Sequence, residues 1–304
     1  MKISEALRTT FPCFSFEFFP PRNDDGIAQL VETVSRLRLL GPTFVSLTYG
    51  AGGTTRQRTL DLVSRFKRDF GVEAMAHLTC VGSSTDDLRA TLDRLQESGI
   101  ENIMALRGDA PKDATAFVPA PDGLAHANDL IDLISRNYSF DVGGACYPEG
   151  HPESPDLEHD LEWVVRKVDA GAKFLVSQAF FDNIHYFAFV ERARARGIEV
   201  PIIPGIMPIT DLRVMRRIME LDPRTTIPAA LRTEIERRAD NPEAVVELGV
   251  AYATLQCEEL LRCGAPGIHF YTLNRSPATS AIVAALQVTE PWMNARPPAP
   301  AYVA

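Results

Sequence analysis

Glu17 lies within FSFEFFPP, flanked by Phe14, Phe16, Phe18 and Phe19. A carboxylate among apolar neighbours is costly to bury unless it is paired or protonated. Desolvation is expected to raise its pKa, which suits a general acid near neutral pH. Other polar residues close short apolar runs. Thr48 ends one run, His77 and Thr79 end another, and a third leads into Arg107, Gly108 and Asp109. Ala145 sits in a fourth, which leads into Tyr147 and His151; Gln178 ends a fifth, and Tyr271 and Arg275 close the last. The Arg107–Asp109 triplet reads either as part of a site or as a turn with a local ion pair. Asp160, Trp163, Arg166 and Lys167 fall in one helical stretch, where 160, 163 and 167 share a face. Two adjacent cations there suit a phosphate, and an ordinary solvated helix accounts for them equally well.

Several chemistries are set aside. YGAGGTT (49–55) invites a dinucleotide reading, but Thr55 stands where the third glycine belongs, so a tight βα loop explains it better. No HExxH, Cys/His cluster, GxSxG or Walker pattern occurs, and no metal site is expected. Cys13, Cys80, Cys146, Cys257 and Cys263 are odd in number and widely spaced, which reads as reduced core thiols in a cytoplasmic protein. The N-terminus lacks a secretory pattern, and no apolar run reaches about 18 residues, so no membrane span is expected. The net charge is 31 − 40 = −9. That argues against nucleic acid as partner, though a local basic pocket could still hold an anionic small molecule, because salt screens distant charge.

The elements that must position these residues alternate. Eight apolar runs, at 13–19, 44–48, 73–78, 102–106, 141–146, 174–178, 202–206 and 267–273, have the length of buried parallel strands. Between them, 26–40, 55–70, 85–98, 126–138, 156–170, 184–196 and 210–221 carry helical periodicity. Asp24–Asp25, Thr54–Thr55, Thr85–Asp86 and Thr210–Asp211 are start signals, and Gly41, Gly71, Gly99, Gly171 and Gly197 are stops. Two further helical patterns, 228–238 and 242–263, precede the eighth strand, and a last one spans 277–287. This is an α/β pattern: a (β/α)₈ barrel over residues 1–287 as one domain, with a Pro/Ala-rich, extended or mobile tail at 288–304. A doubly wound open sheet is the alternative. In a barrel the polar strand ends converge on one face, where barrel enzymes place their sites.

With these residues in place the chain resembles the methylenetetrahydrofolate reductase family, in its bacterial single-domain form. The resemblance rests on FSFEFFPPR (14–22), FVSLTYGAGG (44–53), AHLTC (76–80), ALRGD (105–109), YPEGHPE (147–153), KVDAGAKFLVSQAFFD (167–182), IPGIMPI (203–209) and HFYTLNR (269–275). It implies a barrel, bound FAD without a dinucleotide fold, and reduction of 5,10-methylenetetrahydrofolate to 5-methyltetrahydrofolate. It also implies ping-pong use of NADH or NADPH, which no motif here separates. Glu17 matches the acid that protonates folate N10, and Asp109 matches a carboxylate that stabilises the resulting cation. Gln178, Tyr271 and Arg275 match substrate-side positions. Thr48, His77, Arg107, Gly108, Asp109, His126, Ala127, Ala145, Tyr147, His151, Asp160, Arg166 and Lys167 match FAD-binding positions, with His151, Arg166 and Lys167 near the diphosphate.

His126, Trp163, Ala179 and Ile218 depart from the family pattern, the last where some relatives place Phe near the nicotinamide. Competing readings are direct hydride transfer from nicotinamide to folate without flavin, and a non-catalytic folate- or flavin-binding subunit. A homo-oligomer is expected, with the apolar faces at 210–221 and 242–263 packing on the barrel or on another subunit.

Overall fold

Alternation along each strand decides which side chains meet at the centre of the molecule. The structure is a computed structural model that describes residues 1–21, 23–49, 53–110 and 117–294, with backbone alone for 53–58, 221 and 294. Nine strands form one parallel sheet: β1 (Cys13–Phe18), β2 (Phe44–Leu47), β3 (Ala74–Thr79), β4 (Asn102–Leu106), β5 (Asp141–Cys146), β6 (Phe174–Ser177), β7 (Ile202–Ile203), β8 (Gly205–Ile206) and β9 (Gly267–Tyr271). Their order is β7-β6-β5-β4-β3-β2-β1-β9-β8. Only Pro204 separates β7, which pairs with β6, from β8, which pairs with β9. The chain itself therefore joins the two ends of the sheet into a barrel. Pro204 has no N–H for a ladder, but its carbonyl accepts from His269 N at 2.9 Å. The seventh expected strand is thus two short pieces, and the open-sheet alternative is not formed.

Among the described residues eleven α-helices accompany the strands: α1 (Ile3–Thr9), α2 (Asp24–Leu37), α3 (Gly53–Phe70), α4 (Thr85–Glu97), α5 (Ala127–Asn137), α6 (Leu157–Asp169), α7 (Asn183–Ala195), α8 (Leu212–Leu221), α9 (Ala229–Arg237), α10 (Pro242–Arg262) and α11 (Pro277–Thr289). Two expected caps fall one residue early. Asn23 caps α2 by accepting from Gly26 N, and Ser84 caps α4 in a reciprocal box with Asp87. Asp211 caps α8 as expected. Thr54 and Thr55 lie inside α3, which begins at Gly53; Arg22 and residues 50–52 lie outside the described residues. All five stop glycines take positive φ.

Phe14, Phe16 and Phe18 point outward into the main core with the helices, while Ser15 and Glu17 face the barrel interior. The lower interior is apolar, filled by Ile3, Phe44, Met75, Met104, Phe174, Val176 and Ile203. The upper interior is polar. The apolar faces of α8 and α10 close on α9 in a separate cluster that includes Met215, Ile218, Leu231, Ile235 and Val245. The residues of that cluster, Ile218 among them, are covered within the chain, whereas Met219 of α8 and Leu255 of α10 are exposed.

Two segments differ from the sequence reading. Helix α1, too short to show a clear period, plugs the lower end of the barrel. Buried Asn102 accepts from Ile3 N at 2.9 Å and donates to Met1 O and Glu73 Oε1. Asn102→Ala is expected to cost about 2–3 kcal/mol, because those partners lose their bonds in a buried site; urea unfolding of the two proteins measures it. At the other terminus, Pro291–Asn294 form a 3₁₀ turn, and Trp292 meets Phe14 edge-on with ring centroids 6.1 Å apart. That stretch of the expected extended tail is therefore anchored; 295–304 lie outside the described residues.

Candidate active site

Parallel pairing sets Glu17 beside Ser46 of β2 and Tyr271 of β9. Glu17 Oε2 lies 3.3 Å from His269 Nε2, 3.4 Å from His77 Nε2 and 3.5 Å from Ser46 Oγ, which donates to it. The other ring nitrogen of His269 is 2.8 Å from Ser15 Oγ. The His77 contact lacks hydrogen-bond alignment, and His77 Nε2 has no other partner. Burial, the largest influence on Glu17, pushes its carboxyl up. The charge of His77, the bond and charge of His269 and the Ser46 hydroxyl together outweigh it, so the carboxyl sits below its ordinary range. This corrects the expected upward shift. Of the phenylalanines that prompted it, Phe14, Phe16 and Phe18 lie on the opposite face of the strand and Phe19 is exposed beyond its end, whereas the spatial neighbours are polar. Burial also pushes the His77 imidazole down, against the pull of Glu17.

Glu17 stands in a cavity of about 1160 Å³ at the C-terminal ends of the strands. Thr48, His77, Gln178 and Tyr271 line it beside Glu17. Arg107, Gly108 and Asp109 line it from the β4 end, and Ala145, Tyr147 and His151 from the β5 end. His126 at the N-cap of α5, Ala127 of α5, and Asp160 and Lys167 of α6 are the other expected residues that line it. Trp163 also lines the cavity, so the three residues expected to share a face of α6 do so there. Two expected residues do not line it. Arg166 is exposed on the next helical direction, its guanidinium 4.5 Å over the Trp163 ring. Arg275 is exposed beyond a turn in which Leu273 and Asn274 take positive φ.

Within the site Arg107 makes a bidentate pair with Glu153, at 2.5 and 2.7 Å, rather than with Asp109. That pair holds the Glu153 carboxyl below its usual range. Lys167 Nζ donates to Ala145 O at 2.7 Å, and burial lowers its ammonium against the pull of Asp160. Asp160 is buried and accepts from Ser154 Oγ at 3.0 Å. The lining thus mixes Arg107 and Lys167 with Glu17, Asp109, Glu153 and Asp160. The expected local basic pocket is not realised as a cationic excess among the described residues. Gly205 lets Tyr271 cross the barrel and donate to Ser177 O at 2.7 Å, since a Cβ there would lie 2.6 Å from the tyrosine ring. Burial pushes the Tyr271 hydroxyl well up, so it stays protonated.

Sequence reasoning missed Ser15, Ser46, His269 and Glu153. A signal existed for two of them: Ser15 and His269 stand two positions before Glu17 and Tyr271 on their strands, and so share their faces. The two departures His126 and Trp163 meet each other, ring centroids 4.4 Å apart. Ile218 lines no part of the cavity.

The parallel barrel and the polar cluster at its C-terminal face define a (β/α)₈ barrel of the kind that works at that face. The sequence model described as methylenetetrahydrofolate reductase matches residues 2–287, and the chain belongs to that family. It is 39% identical over 284 residues to methylenetetrahydrofolate reductase (NADH) 1 of Arabidopsis thaliana, covering 90% of this chain and 48% of that protein. It is 38% identical over 274 residues to 5,10-methylenetetrahydrofolate reductase of Escherichia coli (strain K12), covering 90% of each. The chain thus spans about half the length of the plant relative and most of the bacterial one. An uncharacterized Clostridium thermocellum protein that binds two copies of 5-methyl-5,6,7,8-tetrahydrofolic acid shares the fold, with TM-score 0.66 and 16% identity over 95% of this chain and 99% of that one.

Proposed function

We propose that the chain reduces 5,10-methylenetetrahydrofolate to 5-methyltetrahydrofolate with FAD and a reduced nicotinamide. The observation that carries this reading is the cavity that brings Glu17, His77, Gln178, Tyr271 and Asp109 together, with His269 buried behind Glu17. The residues present fit a flavin dinucleotide. Three buried polar atoms of residues that line the cavity, His77 Nε2, Thr79 Oγ1 and Asn128 Oδ1, have no hydrogen-bond partner, and a ligand would satisfy them. The cavity also exceeds the usual range for one small molecule, up to about 1,000 Å³, which suits a dinucleotide plus a second ring system.

Lys167 and Arg107 would hold the cofactor's anionic part, and Thr79, His77 and Asn128 its polar groups. When bound, FAD supplies a two-electron carrier between nicotinamide and folate. Glu17 donates a proton to folate N10, which opens the five-membered ring to an N5 iminium. Asp109 stabilises that cation by its charge. Gln178 both donates to and accepts from the pterin, and Tyr271 walls the substrate side.

The test is the visible absorption of freshly purified protein, followed anaerobically through NADH and then methylenetetrahydrofolate. Flavin bands that bleach with the first and return with the second support the reading. A colourless protein that takes up no added FAD overturns it and leaves the flavin-free or non-catalytic alternatives. Asp109→Asn is expected to keep flavin and its reduction by NADH while slowing reoxidation by folate about tenfold to a hundredfold, the loss of one charge near a developing cation. Stopped-flow absorbance separates the two steps.

A further inference from the structure

The loop from Tyr147 to Asp156 forms one wall of the cavity through Tyr147, His151, Glu153 and Ser154. Its back is fastened to a part of the molecule that lines none of the cavity. Glu149, whose side chain is only 9% exposed, turns away from the cavity. Its Oε1 accepts from Thr226 N at 2.9 Å and from Thr226 Oγ1, and lies 3.4 Å from His185 Nε2 of α7. Thr226 Oγ1 and His185 Nε2 are 3.1 Å apart. Five residues along the same loop, Arg224 donates to Ser154 O, and Ser154 Oγ in turn donates to buried Asp160. Asp222 holds the other side by accepting from Arg224 N at 3.1 Å and from Thr225 Oγ1 at 2.9 Å. Residues 222–228 connect α8 to α9, which share the separate hydrophobic cluster.

We propose that Glu149 is a positioning residue: its clasp on Thr226 and His185 couples the α8–α9 unit to the wall that receives the cofactor. The proposal rests on the cofactor reading above. A buried carboxylate with one oxygen held by three groups from two other elements fixes its loop more tightly than loop backbone alone does. Coupling of this kind is reciprocal. If the α8–α9 unit holds the wall in its binding shape, then occupation of the cavity must stabilise α8 and α9, although no described residue from 207 to 270 lines it.

The experiment is hydrogen exchange by mass spectrometry, with and without added FAD, on the wild-type chain and on Glu149→Ala, Glu149→Gln and Thr226→Ala. A fluorescence titration of FAD accompanies it. FAD is expected to slow exchange across 212–237 in the wild type and not in Glu149→Ala, whose FAD dissociation constant rises about tenfold, an ordinary size for coupling between sites. Glu149→Gln keeps an oxygen acceptor for Thr226 and is expected to restore most of both effects, which a general loss of packing would not predict. Thr226→Ala gives the same test should Glu149→Ala fail to fold. Uptake of FAD with unchanged exchange at 212–237 in the wild type, or affinity within about twofold of wild type in the Ala variants, overturns this proposal alone. A wild-type chain that takes up no FAD overturns the cofactor reading and this proposal with it.

Discussion

Glu17→Gln is expected to bind FAD and to be reduced by NADH at the wild-type rate, yet to return electrons to methylenetetrahydrofolate about a hundredfold to ten-thousandfold more slowly, the usual worth of a general acid. The amide keeps the size and an acceptor oxygen for Ser46 but has no proton to give. The geometry adds a condition. In the free protein the neighbouring imidazoles and Ser46 hold the Glu17 carboxyl below its ordinary range, so the anion dominates at neutral pH. Substrate that expels water from the cavity strengthens desolvation, the one influence that favours the protonated form. On the proposed role Glu17 therefore takes up its proton in the complex; His269, held between Ser15 and Glu17, is fully buried. Equal loss in both half-reactions would sink the assigned role. The same substitution tests linkage. A carboxyl lowered by folding contributes stability above its unfolded pKa and loses it as pH falls through the folded value. Glu17→Gln should flatten the acid limb of a stability–pH profile and leave its alkaline side unchanged in slope.

Gly205→Ala is expected to destabilise the protein by about 3 kcal/mol, at the upper end of overpacking costs. An added Cβ would lie 2.2 Å from Ser177 O and 2.6 Å from the Tyr271 ring. The first neighbour is strand backbone in the closing seam of the barrel and cannot yield. Tyr271 has to swing away from Ser177 O, so folate reoxidation should slow beyond what stability alone explains. Urea unfolding gives the first effect and stopped-flow the second. A stability within about 0.5 kcal/mol of wild type would mean that the seam at Pro204 relaxes freely, and the positioning of Tyr271 would need another account.

Much of the fold was legible because it depends on short-range periodicity. Buried parallel strands must be apolar on both faces, so each declared itself by composition, and the helices between them by spacing. The split at Pro204 escaped because a run of IIPGI reads as one strand until its two neighbours are known. Helix α1 escaped because seven residues are too few to display a period. In the site, Asp160 and Lys167 were legible from helical spacing, since the face they share turns to the cavity. Arg166 does not line the cavity beside Lys167, because one residue is a turn of about 100° on a helix. Arg275, matched to a substrate-side position within HFYTLNR, is carried out of the cavity lining by the left-handed turn at Leu273 and Asn274.

What the sequence by itself determined was the set of elements, the converging strand ends and the family pattern, all of which are local or ordered along the chain. Which partners surround Glu17 was decided only by the tertiary structure. Ser46 is 29 positions away and His269 is 252, and parallel pairing into a closed ring brings them to one carboxylate. That register, and not the four phenylalanines beside it in sequence, sets the charge on Glu17, because electrostatic neighbours are defined by distance through space and alternation sends adjacent side chains to opposite faces.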